Sequence, residues 1–128
     1  MEPINIEKTF STPGVKFTQV DHTLVIEGRV IPEDATAVFQ PIVDWVDAYF
    51  TSGNSTLKVV FRLYYYNTSS SKRIVNFLKK LDDYFAAGKK VLIVWEYEEG
   101  DDDCMRDGQD YQALVKVPIE LVETQELD

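Results

Sequence analysis

Ten consecutive residues, Leu57-Lys58-Val59-Val60-Phe61-Arg62-Leu63-Tyr64-Tyr65-Tyr66, are rich in β-branched and aromatic side chains and apolar at nearly every position. A run of that kind suits an interior strand covered on both faces. It passes at once into Asn67-Thr68-Ser69-Ser70-Ser71, and then into an apolar stripe at helical spacing: Ile74, Phe77, Leu78, Leu81, Tyr84 and Phe85, stopped by Gly88. A buried strand that feeds a helix through a short hydroxyl-rich turn is half of a parallel crossover unit. That narrows the chain to an α/β class.

The flanking segments agree. Residues 15–30 read as a β-hairpin turning at Asp21-His22, with Leu24 and Ile26 on one face and Val25 on the other. Pro32-Glu33-Asp34 opens a first helix, whose stripe is Val38, Phe39, Ile42, Val43, Val46, Tyr49 and Phe50. Pro41 inside that stripe allows a kink or a later start. Val91 to Tyr97 reads as another buried strand, Glu98 to Asp110 as an acidic loop, about Met105 to Leu114 as a short third helix, and Pro118 to Val122 as an edge strand. The order predicts one domain, residues 1–128. Its mixed, largely parallel sheet has about five strands, with two main helices, 34–51 and 70–87, packed on it.

A chain of 128 residues with 45% hydrophobic content can bury a core without a disulfide or metal. Acids outnumber bases 22 to 13, a formal charge of −9. That disfavours nucleic acid and anionic membranes, both of which are bound by clustered Lys and Arg. Cys104 is the single cysteine, which suits a reducing compartment. The opening Met1-Glu2-Pro3-Ile4-Asn5 has no secretion-signal character, and no apolar run approaches the roughly 18 residues that span a bilayer. The expected location is the cytoplasm.

Little in the sequence builds a catalytic or metal centre. His22 is the only histidine and reads as an exposed turn residue. Aligning Gly108 to a calcium loop puts Met105 and Leu114 where oxygen ligands belong, so that pattern fails. Cys104 lies among acids, which disfavours its thiolate. No phosphate-cradling glycine loop is present. The expectation is no catalytic residue, no metal and no cofactor.

The hydroxyl cluster 68–71 is the remaining constellation. One helix needs one N-cap, and an Asn or a hydroxyl supplies it. Four hydroxyls in a row exceed that need, and the carboxyl end of a strand in an α/β sheet is where ligands and partners bind. A phosphate on Thr68 would sit at a helix N-terminus, with Lys72 a turn away and Arg73 beside it.

Four ordered segments carry a resemblance. Lys8-Thr9-Phe10-Ser11-Thr12-Pro13-Gly14-Val15, Glu27-Gly28-Arg29-Val30-Ile31-Pro32-Glu33, Leu63 to Lys72 with its Asn-Thr-Ser-Ser, and Val94-Trp95-Glu96-Tyr97-Glu98-Glu99 together resemble the SiaC family of bacterial regulatory phosphoproteins. Val30 and Tyr64 depart from the Ser and Glu common at those places. The resemblance implies a fold similar to the STAS domains of anti-sigma-factor antagonists. It also implies a phosphorylated threonine at Thr68, and a non-enzymatic role in which the unphosphorylated form binds and activates a diguanylate cyclase, hence cyclic-di-GMP signalling. A Ser/Thr protein kinase and a PP2C-type phosphatase would be separate chains. The candidate partner-binding residues are Asn67, Ser69, Ser70, Ser71 and Lys72, with Pro32 and Glu33. Two other readings stay open: an anti-sigma-factor antagonist controlling transcription, and a small enzyme or ligand-binding domain.

Overall fold

The structure, a computed structural model, describes residues 2–125. Its elements are β1 (Asn5–Ile6), β2 (Gly14–Thr18), β3 (Thr23–Val30), α1 (Ala35–Thr51), β4 (Thr56–Tyr66), α2 (Thr68–Ala86), β5 (Lys90–Glu98), α3 (Asp102–Leu114) and β6 (Ile119–Thr124). The strands form one sheet in chain order. β1, β2 and β3 are antiparallel neighbours, and β3 to β6 run parallel, each joined to the next by a helix. The expected mixed sheet with two main helices and a third is therefore present. The sixth strand is the two-residue β1, too short for any periodicity to announce it.

Strand order and connection together decide which face is covered. Consecutive parallel strands joined by right-handed crossovers put every crossover helix on the same side. Phe61 of β4 packs against Phe77 of α2 and Trp95 of β5. Trp95 in turn meets Tyr111 of α3, and Phe39 of α1 meets Phe77. The core accordingly takes alternate strand residues: Leu24, Ile26 and Val30; Leu57, Val59, Phe61 and Leu63; Val91, Ile93 and Trp95.

Among the described residues the opposite face carries no helix, which corrects the expectation of a strand covered on both sides. Its charged residues alternate with valines that mimic a core. Arg62 there donates to both carboxylate oxygens of Glu96, at 3.1 Å from Nε and 3.0 Å from its terminal nitrogen, and lies 3.6 Å from Glu27. One guanidinium thus bridges β3, β4 and β5.

The helix starts follow from side-chain caps. Asp34 accepts from the amides of Thr36 and Ala37 at 3.0 and 3.3 Å, so α1 begins at Ala35 and runs through Pro41. Asp101 accepts from the Cys104 amide at 3.0 Å, and Asp102 and Asp103 fill the first turn of α3. The segment expected to be an acidic loop is thus largely helix. Carboxylates are stabilising at a helix N-terminus, so the acidic run is a start signal. His22 also departs from expectation. It has a positive φ of 52°, is half-buried, and its Nδ1 lies 3.1 Å from the Tyr49 hydroxyl, which donates to the Thr56 carbonyl at 2.5 Å.

Candidate functional site

The hydroxyl cluster lies where β4 ends and α2 begins. The Asn67 amide donates to the Val30 carbonyl at 3.2 Å, which fixes the turn against the carboxyl end of β3. Asn67 is the N-cap: its side-chain oxygen accepts from the Ser70 amide at 3.0 Å and from the Ser69 hydroxyl at 3.2 Å. Ser71 bonds back to the Asn67 carbonyl at 3.3 Å. Capping falls to Asn67, and that leaves Thr68 exposed at the first helical position. The first amides of a helix have no partner within it, so an anion on Thr68 would meet unspent donors.

The four hydroxyls are not equivalent. Successive residues of a helix turn by about 100°, and Ser70 falls in line with Ile74, Phe77 and Leu78 on the buried face. It is 0% exposed, and its hydroxyl has no hydrogen-bond partner among the described residues. No protein partner can reach it, so Ser70 is withdrawn from the candidate contact residues. Ser69 and Lys72 are exposed and Ser71 is half-buried.

The exit of β3 returns beside this turn. Glu33, Ser69, Lys72 and Arg73 line a common cleft of ≈ 310 Å³ between the starts of α1 and α2. Pro32 is half-buried just before it. Of the residues selected from sequence, Ser69, Lys72 and Glu33 thus share one cleft, Thr68 is exposed beside Ser69 in the chain, and Asn67 and Ser71 hold the turn.

Sequence reasoning missed two features at the same end of the sheet. Tyr66 donates to Asp107 of α3 at 2.6 Å, which ties the turn to the third helix. Burial, with that bond, pushes the hydroxyl well above the ordinary tyrosine range. The second feature is a stack: the Arg29 guanidinium lies 4.8 Å from the Phe10 ring centre and 5.2 Å from that of Tyr64, with Lys8 5.9 Å from Tyr64. The signal for it was present as three tyrosines in succession at a strand end. Cys104 of α3 is buried on the helix-covered side beside Trp95 and Tyr66, and burial lifts its thiol to about 11, which disfavours a nucleophilic thiolate at neutral pH.

A model of the SiaC family of regulatory phosphoproteins matches residues 6–124. The chain belongs to the SiaC family. It is 31% identical over 98 residues to an uncharacterized protein of Pseudomonas aeruginosa (strain UCBPP-PA14), a match covering 77% of this chain and 78% of that one. Among solved structures it resembles apo-SiaC from Pseudomonas aeruginosa, with a TM-score of 0.86 and 25% identity over 95% of this chain and 99% of the other. It also resembles SiaC from the same organism in a crystal structure of the diguanylate cyclase SiaD in complex with its activator SiaC. There the TM-score is 0.87 and the identity 25%, over 94% and 99% of the two chains. The family assigned from four short motifs is therefore the family that the whole chain matches, and its members are regulatory phosphoproteins.

Proposed function

We propose that this SiaC-family protein, unphosphorylated, binds and activates a diguanylate cyclase, and that phosphorylation of Thr68 ends that contact. The observation that carries the reading is the division of labour at the start of α2: Asn67 caps the helix, and Thr68 stands exposed and uncommitted beside it. A kinase can reach such a hydroxyl without unfolding anything. The structural relative described as the activator of a cyclase, SiaC of Pseudomonas aeruginosa, supports the identity of the partner.

Phosphate adds about −1.5 to −2 to a chain already at −9, a small change in the total field. It is screened beyond roughly 8 Å at physiological salt, so the effect is local. A dianion set inside a contact patch must be desolvated without a matching partner, at a cost of several kcal/mol. Each 1.4 kcal/mol is about tenfold in affinity, so the loss is about a hundredfold or more. The chain itself supplies no catalysis. A Ser/Thr kinase and a PP2C-type phosphatase set its phosphorylation, and it works in the cytoplasm with its cyclase.

The test is calorimetric affinity for the cyclase with wild type, Thr68→Ala and enzymatically phosphorylated protein, with melting temperature as control. Wild type and Thr68→Ala should bind alike and the phosphorylated form should not. Equal affinity of phosphorylated and unphosphorylated protein would refute the switch.

A further inference from the structure

We propose that the Phe10–Arg29–Tyr64 stack, with Lys8 and Tyr65, is the anchoring half of the partner surface, and that it takes an acidic segment carrying an apolar side chain. The inference rests on the partner-binding reading above and adds a place and a chemistry.

The backbone is shaped to make this patch. The register of β3 on β4 pairs Gly28 with Leu63 and then Arg29 with Tyr65, so Tyr64 is an extra residue, a bulge. Strict alternation would send Tyr65 into the core and Tyr66 to the open face. The bulge reverses them: Tyr66 packs on Trp95, and Tyr65 stands 56% exposed. Gly28 has φ +120°, and a Cβ there would come within 2.9 Å of Lys8 Cδ, so the bare backbone is what lets the Lys8 stem cross it. Phe10 is 74% exposed, and the ring contact found for it is Arg29.

The charges name the occupant. In a chain of net −9, neither Lys8 nor Arg29 enters an ion pair or a side-chain hydrogen bond among the described residues. Glu27, on the same strand as Arg29, is already taken by Arg62. Stacked guanidinium keeps its N–H fork free for a carboxylate. Exposed Phe10 and Tyr65 stand beside half-buried Arg29 and Tyr64, and Tyr and Arg are among the residue types that dominate binding energy at interfaces. Position links the patch to the switch, since Arg29 and Tyr65 are sheet partners and Thr68 follows Tyr65 by three residues. A phosphate on Thr68 would then compete with the partner's carboxylates for the cations at this end of the sheet.

Two measurements test this. In the first, the cyclase is titrated with wild type, Arg29→Glu, Phe10→Ala and the charge-matched control Lys79→Glu, at low and high salt, with melting temperatures. Arg29→Glu should lose about a hundredfold in affinity and Phe10→Ala about tenfold, Lys79→Glu should stay within about twofold, and binding should weaken as salt rises. Cyclase binding that Arg29→Glu leaves unchanged, or that Lys79→Glu impairs equally, overturns the inference and leaves the proposed function standing. The second needs no cyclase. Amide and side-chain shifts are followed while the protein is titrated with a synthetic Glu-Leu peptide or its Lys-Leu counterpart. Shifts at Phe10, Arg29 and Tyr65 with the acidic peptide alone support the patch, even if the cyclase reading fails. No shifts, or equal shifts with both peptides, overturn it.

Discussion

The Tyr66 hydroxyl and Asp107 Oδ2 meet at 2.6 Å, joining the last residue of β4 to the middle of α3 two residues before Thr68. The ring of Tyr66 also packs edge-on against Trp95, with centroids 5.9 Å apart. The Asn67–Ser71 turn is therefore held from two sides, by its own cap and by the third helix. Tyr66→Phe keeps the ring and removes the donor, leaving a half-buried carboxylate short of one hydrogen bond. The expected cost is about 1.5–3 kcal/mol, because the bond is to a charged group. Urea unfolding should show a lower midpoint with an unchanged slope, and amide exchange at residues 68–71 should quicken.

The cap and the proposed phosphosite separate by mutation. Asn67→Ala removes the acceptor of the Ser70 amide and should cost about 1 kcal/mol, while Asn67→Asp should recover most of it. Thr68→Ala touches an exposed side chain outside the cap and should move the melting temperature by no more than a degree or two, within about 0.5 kcal/mol. A Thr68→Ala loss as large as that of Asn67→Ala would show that Thr68 shares the capping.

Much of this arrangement was legible from sequence. The period-two and period-3.6 stripes located the hairpin, the central strand and both main helices, because those stripes are the core-facing residues themselves. The hydroxyl turn and three other motifs pointed to the family. What failed to show has physical reasons. The single covered face follows from three successive right-handed crossovers, a topological fact that the composition of β4 hides. The exchange of Tyr65 and Tyr66 follows from one extra residue in the strand. The start of α3 was masked because a run of Asp reads as a loop, although it is also a helix N-terminus. Ser70 was separable in principle: counting back four from Ile74 places it on the buried stripe.

At Gly108, α3 sits close against the sheet. A Cβ at this position would lie 2.6 Å from Trp95 Cδ1 and 2.6 Å from Leu121 Cδ2. Trp95 is 1% exposed and cannot step aside. Gly→Ala inside a helix is ordinarily worth up to about 1 kcal/mol in favour of alanine. Here overpacking of about 1–3 kcal/mol opposes it. Gly108→Ala should therefore lower the melting temperature. A higher one would mean that α3 can lift off Trp95 freely, and that the link between α3 and the Thr68 turn is loose.

Cys104 gives the fold a pH dependence that one variant isolates. Its thiol is 4% exposed and rises from an ordinary value of 9 to about 11, chiefly because burial penalises the thiolate, with the charges of Asp101 and Asp107 adding to the rise. In the unfolded chain the thiol returns to its ordinary value. Below pH 9 both states hold the proton and the contribution to stability is fully present. Between 9 and 11 the unfolded state gives up its proton first, so stability falls as pH rises, by at most about 1.4 kcal/mol per unit. Above 11 the loss is complete. Tyrosines raised by burial act in the same direction at higher pH; half-buried Tyr84, bonded to Asp47, is itself raised to about 12. Tyr84 owes none of its rise to Cys104 and cancels when wild type is compared with Cys104→Ala at each pH, while Tyr66 and Tyr111, raised chiefly by burial and only secondarily by Cys104, keep their protons in the folded state of both proteins through pH 11. The stability advantage of wild type over Cys104→Ala should be constant from pH 7 to 9 and shrink between 9 and 11, as read from urea midpoints. In native protein at pH 8 the thiol should also react with a disulfide reagent far more slowly than in denaturant. A difference that stays flat to pH 11, together with rapid labelling at pH 8, would place Cys104 at the surface and α3 away from Trp95.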